Sequence, residues 1–332
     1  MTSNMELIKE LRGITLAGIS ECKKALEETN GDINKSIDII KARGLQQVSN
    51  LESKIATEGR ISILMTRSSN DVNKSASMME CNTQTDFSSQ SDDFVDFTDE
   101  CVVAVSDYFN GTYKTVEEAM SNRNSPKIDA RHNSTRTLTQ VKQDLMVSTK
   151  EKIEVRRWWA LEAMADNTCV HSYMHSNNKL GVLVSFEVPE QKDLTNPFFV
   201  EFANNVAMQI AAMAPIALSK EDINPEVIER QKKIFEMQVK ELNKPEATWP
   251  KILDGKMNKF IAESALLTQE SVLSPKKTVQ QVMDELSILL CGKDKGVKIL
   301  AYSRALVGDG LVLIKEDLAE TVEKTIKDSE NK

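Results

Sequence analysis

An α+β fold is predicted: a helical N-terminal module, two pseudo-repeated α/β subdomains with antiparallel sheets, and an inserted antiparallel helical hairpin. Three observations carry the prediction. Apolar residues recur at helical spacing over residues 4–44, then alternate at Ile61-Ser62-Ile63-Leu64-Met65 and again at Leu180, Val182, Val184, Phe186 and Val188. Phe94-Val95-Asp96-Phe97 is answered by Phe199-Val200-Glu201-Phe202, each at the start of a helix that follows a hairpin. Residues 222–264 hold two long charged helices joined by a short turn containing Pro245.

At 332 residues the chain is long enough for two or three domains with cores of their own. Aromatics make up only 5%, so those cores must rest on Leu, Ile, Val, Met and Ala. A net charge of -8 argues against direct binding of nucleic acid, which needs clustered positive charge. No apolar run approaches the roughly 18 residues of a membrane span, so no membrane partner is expected. Met1-Thr2-Ser3-Asn4-Met5 has neither an apolar core nor an Arg-rich character, and no cleaved targeting segment is expected there. Cys22, Cys81, Cys101, Cys169 and Cys291 are odd in number and far apart. They suit reduced, buried thiols and a cytoplasmic location rather than a disulfide frame.

In the module of residues 1–44, Leu7, Ile8 and Leu11 stripe a first helix, and Thr15-Leu16-Ala17-Gly18 breaks it. Ser20 reads as the N-cap of a second helix, with Cys22 and Leu26 on its buried face. Asn30-Gly31 is a turn, Asp32 caps a third helix carrying Ile33, Ile37 and Ile40, and Gly44 is its expected stop. Val48, Leu51 and Ile55 mark a separate linker helix within residues 45–59, ended by Gly59.

The first subdomain spans residues 60–165. Strands are expected at 61–65 and 77–81, then a helix carrying Phe94, Phe97, Val102 and Val105. Residues 109–140, rich in Asn, Thr and Ser, read as loosely structured apart from a short helix near Val116 to Met120. Leu138, Val141 and Leu145 restart a helix, and Glu154 to Ala165 reads as another. The second subdomain, residues 166–312, opens with strands at 169–174 and 180–188, the latter half-buried by its alternation. A helix with Phe199, Phe202, Val206, Ile210 and Met213 follows, then the charged hairpin at about 222–265, whose few apolar anchors make it project. Thr278 starts a helix over 279–289, Val297 to Ala305 is a strand, and Val307-Gly308-Asp309-Gly310 is a turn. Leu318, Val322 and Ile326 mark a terminal helix within 313–332.

Catalytic signatures are missing. There is no GxGxxG, no GxxxxGK[ST] and no GxSxG. Cys169, His171 and His175 share one strand face, but no carboxylate or second cysteine lies near them in sequence, so hairpin packing is favoured over zinc. No cysteine sits at a Gly-rich helix start to act as a nucleophile. No catalytic residue, metal or cofactor is assigned, and the chain is not expected to be an enzyme.

One stretch resists a purely structural account. After the strand ending at Cys81-Asn82, Thr83-Gln84-Thr85-Asp86 favours a turn, and Phe87 follows it directly. Phe87 is either a plug for the protein's own core, which base rates favour, or a projecting anchor for a partner. The second copy of the repeat has no Thr-Asp-Phe after its strand, so these residues are not required by the shared scaffold. That shifts the balance towards function.

Several segments, taken in order, resemble the translation elongation factor Ts family over nearly the whole chain. Leu11-Arg12…Thr15…Ala17-Gly18…Cys22-Lys23-Lys24-Ala25-Leu26 with Asn30-Gly31-Asp32 looks like its ubiquitin-associated-like (UBA-like) module. Gln84-Thr85-Asp86-Phe87 is similar to its Thr-Asp-Phe turn, with Ser88 where Val is usual, and Ile19-Ser20 stand where a Met pair is usual. Lys152-Ile153-Glu154-Val155-Arg156-Arg157, Lys179-Leu180-Gly181-Val182-Leu183-Val184, Lys220-Glu221-Asp222-Ile223, Lys256-Met257-Asn258-Lys259-Phe260 and Val307-Gly308-Asp309-Gly310 follow in family order.

The resemblance implies a guanine-nucleotide exchange factor acting on elongation factor Tu in its GDP-bound and nucleotide-free forms. It implies that Thr85, Asp86, Phe87 and Ser88 enter beside the partner's nucleotide site, displace Mg2+ and release GDP. It further implies partner contacts at Arg12, Ile19 and Ser20 in the N-terminal module and at His175 in the second hairpin. The rival is a non-exchange binding scaffold, chaperone-like or polymerase-associated, which would not require Asp86 or Phe87.

Overall fold

Ile8, Leu11, Ala17, Cys22, Ala25, Leu26 and Ile40 close a small core between three N-terminal helices, α1 (Asn4–Thr15), α2 (Ile19–Glu28) and α3 (Ile33–Glu52). The computed structural model describes residues 4–15, 17–68, 72–132, 135–242, 245–292 and 296–311. Leu16, the Asn243-Lys244 part of the hairpin turn and the expected terminal helix at Leu318, Val322 and Ile326 lie outside the described residues. Gly18, not Ser20, is the N-cap of α2: its carbonyl accepts from Glu21 N at 2.9 Å and Cys22 N at 3.0 Å, and Ser20 falls inside the first turn. Asp32 caps α3 as expected, accepting from Lys35 N at 3.1 Å.

No separate linker helix follows. The third helix continues through Gly44 to Glu52, a single element of 20 residues. Glycine inside a helix costs about 1 kcal/mol relative to alanine, so packing must offset it. Val48 and Leu51 supply that packing by entering the helical core of the next unit. A Cβ on Gly44 would stand 3.4 Å from Val147 Cγ2, an ordinary contact distance, so this glycine lies inside a packed helix and does not stop it. Gly59 lies in a strand at φ 149°, where a Cβ would come 2.1 Å from the Cys81 carbonyl oxygen.

The remaining chain forms four layers: helices, sheet, sheet, helices. The first sheet holds β1 (Glu58–Arg67), β2 (Asn73–Thr83) and β3 (Glu154–Glu162), antiparallel in the order β1-β2-β3. Between β2 and β3 come α4 (Asp86–Ser89), α5 (Asp92–Phe109), α6 (Val116–Asn122), α7 (Pro126–His132) and α8 (Leu138–Thr149). Met79, Cys81, Val155 and Trp158 face Phe94, Phe97, Val105, Ile128, Leu138 and Met146 of those helices. Within 109–140 the short helix expected near Val116 to Met120 is present as α6, and α7 adds a short helix that was not expected, burying Ile128 in the same core.

Residues 154–162 form a strand, not a helix. The reason lies in a bulge. Glu80 pairs with Arg157 and Cys81 with Val155, leaving Arg156 as the extra residue. That insertion breaks the alternation, so Arg156-Arg157-Trp158-Trp159 mimics a helical pattern while Val155 and Trp158 reach one face and Trp159 and Leu161 the other.

In the second sheet β4 (Thr168–Met174), β5 (Leu180–Glu187) and, much later in the chain, β6 (Lys298–Leu306) lie antiparallel in the order β4-β5-β6. Before β6 come α9 (Pro197–Met213), α10 (Pro225–Lys240), α11 (Trp249–Ser264) and α12 (Val279–Cys291). Val182, Val184 and Phe186 pack on Phe199, Val206, Ile210 and Met283, while Leu183 packs with Val170, Ala305, Ile61 and Met78 against the first sheet. The β5 strand is thus buried on both faces rather than one. The hairpin of α10 and α11 is held at its base by Ile223, Ile228 and Ile261 and along its length by Phe235 against Phe260, ring centroids 6.4 Å apart. Among the described residues no helix is long and apolar enough to cross a membrane.

Candidate partner-binding site

The β2 strand ends at Thr83, and the next residues close into the single turn of α4. Thr85 has extended backbone (φ -121°, ψ 151°) and caps the turn, its Oγ1 accepting from Ser88 N at 3.3 Å. Helical spacing then separates neighbours: Phe87 points outward and is 88% exposed, whereas Ser88 and Ser89 point inward at 5% each. Of the four residues expected at the partner, Phe87 is presented and Ser88 is not. The Ser88 side chain instead faces Glu151.

Glu151 pins the turn from below. Its Oε2 accepts from Thr83 Oγ1 at 2.8 Å, Gln84 N at 3.1 Å and Thr85 N at 3.0 Å, and its Oε1 accepts from Thr85 Oγ1 at 2.7 Å. Gln84 Oε1 in turn accepts from Lys152 N at 3.0 Å. Burial pushes the Glu151 carboxyl up, but the hydroxyls of Thr85, Thr83 and Ser88 with the Thr85 N–H outweigh it and hold the group below the usual range.

Asp86 is held from the side. Its Oδ2 accepts from Gln90 Nε2 at 2.8 Å and its Oδ1 lies 2.8 Å from Lys179 Nζ. Lys179 also reaches Glu58 Oε2 at 2.7 Å. The Lys179 ammonium, followed by smaller contributions including the Ser89 and Gln90 side chains, lowers the Asp86 carboxyl. Asp86 and then Glu58 raise Lys179 in return. Lys179 comes from the β4–β5 turn, and Ser176, Asn177 and Asn178 of that turn line one cleft with Arg60, Asp86, Ser89 and Gln90. The tip of one sheet and the hairpin turn of the other are therefore neighbours.

The other expected contacts lie elsewhere. His175 is exposed, with Nδ1 3.0 Å from the Tyr173 hydroxyl, and lines a mostly apolar hollow with Leu180, Met208, Ala212, Val272 and Leu273. Arg12 and Ser20 border a cleft with Lys24, Arg43 and Lys150, and Ile19 is 56% exposed beside it. Cys169 and His171 serve packing. Burial pushes the Cys169 thiol up to about 12, and the His171 ring stands edge-on to Phe186 and Phe199, each at 5.9 Å. Burial holds the His171 pKa down, against a smaller upward effect of a hydrogen bond to Asn204. Among the described residues no group of three or more His, Cys, Asp or Glu is placed to hold a metal ion.

A second charged cluster locks the sheets together. Glu80, fully buried, accepts from Arg156 Nη1 at 3.1 Å, Arg157 Nε at 2.5 Å and Gly308 N at 2.8 Å. Arg156 Nη2 donates to Asp309 O and Arg157 Nη2 to Leu306 O, both at 2.9 Å. The roles of Glu80, Glu151 and Lys179 are not legible in the sequence, because each finds its partners across long sequence separations.

The site is thus an aromatic ring presented on a short turn and braced by charged groups from two remote segments. The sequence profile described as Elongation factor TS matches residues 84–309, from that turn to the turn after β6. Elongation factor Ts of Clostridium botulinum (strain Alaska E43 / Type E3) is 33% identical over 321 residues, covering 96% of this chain and 97% of its own. That of Brucella anthropi is 32% identical over 332 residues, covering 98% and 100%, and that of Mycoplasmoides gallisepticum 31% over 327 residues, covering 98% and 100%. The chain belongs to the elongation factor Ts family, translation elongation factors with a guanine-nucleotide exchange role.

Proposed function

We propose that this protein binds elongation factor Tu and drives GDP off it by inserting Phe87 beside the nucleotide site, where it disturbs the coordination of the partner's Mg2+. The single observation that carries this reading is the 88% exposure of Phe87 on a turn that is otherwise tied down. A turn held in place before the encounter loses little backbone freedom when its ring docks. Burying it contributes about 1.5–3 kcal/mol, or one to two decades of nucleotide affinity, so other contacts must share the work. The factor must also prefer the nucleotide-free partner, because equal affinity for both states shifts nothing.

Roles follow for the remaining residues. Asp86 orients the turn, Thr85 caps it from its exposed side and Ser88 holds it from inside. Arg12, Ile19 and Ser20 dock the N-terminal module on the GTPase domain, and His175 with its apolar hollow seats a distant partner domain. We divide the chain into a UBA-like module at 1–44, a connecting segment at 45–59 that begins within α3, and α+β subdomains at 60–165 and 166–312. The matching strand orders β1-β2-β3 and β4-β5-β6 support reading the two subdomains as a pseudo-repeat. No catalytic group, cofactor or nucleic acid enters this scheme, and its setting is the cytoplasm. A non-exchange scaffold would not require Asp86 or Phe87.

The test is release of fluorescent GDP from elongation factor Tu with and without the protein. Acceleration that survives Asp86→Ala combined with Phe87→Ala would sink the mechanism, and no acceleration with any partner tested would favour the scaffold.

A further inference from the structure

Lys179 stands in the second half of the chain, yet its side chain ends at the Phe87 turn. Its backbone is fixed on both sides. Ile61 N donates to Asn178 O at 2.7 Å, stitching the β4–β5 turn to β1, and Val307 N donates to Lys179 O at 2.9 Å. Lys179 N donates to Asn177 Oδ1 at 3.0 Å. From that base the ammonium lies 2.8 Å from Asp86 Oδ1 and 2.7 Å from Glu58 Oε2. Glu58 opens β1 opposite Thr83 at the end of β2, so the lysine spans from the strand ends that carry the turn to the turn itself.

Other groups touch Asp86 without fixing it. Gln90 and Ser89 bond its carboxylate, but both belong to the same short segment and move with it. Glu151 holds the residues leading into the turn, through Thr83, Gln84 and Thr85. Among the described residues, Lys179 ties Asp86 itself, by an ion pair, to a different part of the molecule.

We propose that Lys179 is a positioning residue for nucleotide exchange: by gripping Asp86 it sets the direction in which Phe87 leaves the surface. The proposal rests on the reading of Phe87 as the exchange element. It also makes the turn next to His175 and the turn bearing Phe87 one rigid unit, so a partner seated on the first meets the second in a fixed place.

The experiment compares Lys179→Ala, Lys179→Arg, Phe87→Ala and the Phe87→Ala/Lys179→Ala pair. Release of fluorescent GDP from elongation factor Tu is followed at rising concentrations of each, with amide hydrogen exchange of Ser88 and Ser89 measured on the free proteins. Lys179→Ala should lower the maximal release rate about three- to fivefold, the scale of one partly exposed ion pair. Its half-saturating concentration should stay within about twofold, because the loss falls on the exchange step rather than on docking. Lys179→Arg should restore most of the rate, Lys179→Ala should speed amide exchange at Ser88 and Ser89, and on the Phe87→Ala background it should add no further loss. An undiminished rate in Lys179→Ala, an equal loss on the Phe87→Ala background, or unchanged amide exchange would each overturn the assignment. If Phe87→Ala itself released GDP at the full rate, the exchange reading would fall first, and the positioning proposal with it.

Discussion

Glu80 and Arg157 meet at 2.5 Å in the seam between the two sheets, with the carboxylate fully buried and Arg156 completing the pair from the bulge beside it. Two of the segments that carry the family resemblance converge here: the Arg156-Arg157 strand and the turn holding Gly308 and Asp309. Their shared task is to fix one sheet on the other.

Removing one member of such a buried set leaves the others unpaired. Glu80→Ala is expected to destabilise the fold by about 3–5 kcal/mol, read as a lower midpoint in urea unfolding. An unchanged midpoint would mean that the arginines find other acceptors.

Phe87→Ala should separate function from stability. The ring is 88% exposed, so its removal should change unfolding free energy by less than about 0.5 kcal/mol. GDP release from elongation factor Tu should nonetheless slow by about one to two decades, measured by stopped-flow fluorescence.

Glu151 gives the turn a pH dependence whose sign is fixed. Burial alone would raise its pKa, but bonds from Thr85, Thr83 and Ser88 bring the folded value below the ordinary one. A depressed carboxyl contributes stability that is fully present above its unfolded pKa of about 4.3 and is lost as pH falls through the folded value. Glu151→Gln should therefore lower stability at neutral pH and reduce the acid dependence below about pH 4.3, checked by unfolding at a series of pH values. Equal slopes for the two proteins would refute it.

The sheets approach closely at Gly181, where a Cβ would stand 2.7 Å from Ile61 Cγ2 and 2.9 Å from Met78 Sδ. Gly181→Val should force them apart and cost about 1–3 kcal/mol, seen as a lower melting temperature. A neutral effect would show that the seam is softer than its burial implies.

Much of this was legible in the chain. Alternation at Leu180 to Val188 located the β5 strand, Asp32 and Thr278 marked helix starts that are capped as expected, and the length and charge of residues 222–264 defined the hairpin. Errors clustered where a neighbour overrides local pattern. Gly44 looked like a stop because the helix packed against it, through Val147, is far away in sequence. Residues 154–162 looked helical because the bulge at Arg156 scrambles their period. The helix over Pro126–His132 leaves no periodic stripe in the sequence, because Ile128 is an isolated apolar anchor among polar residues.

By itself the sequence determined most element types and the family, and it singled out the Thr85-Asp86-Phe87 turn, because these depend on residue type and short spacing. Only the tertiary structure decided which of those side chains faces out. That depends on Glu151 below the turn and Lys179 beside it, two charges whose partners are set by how distant segments pack and not by any local pattern.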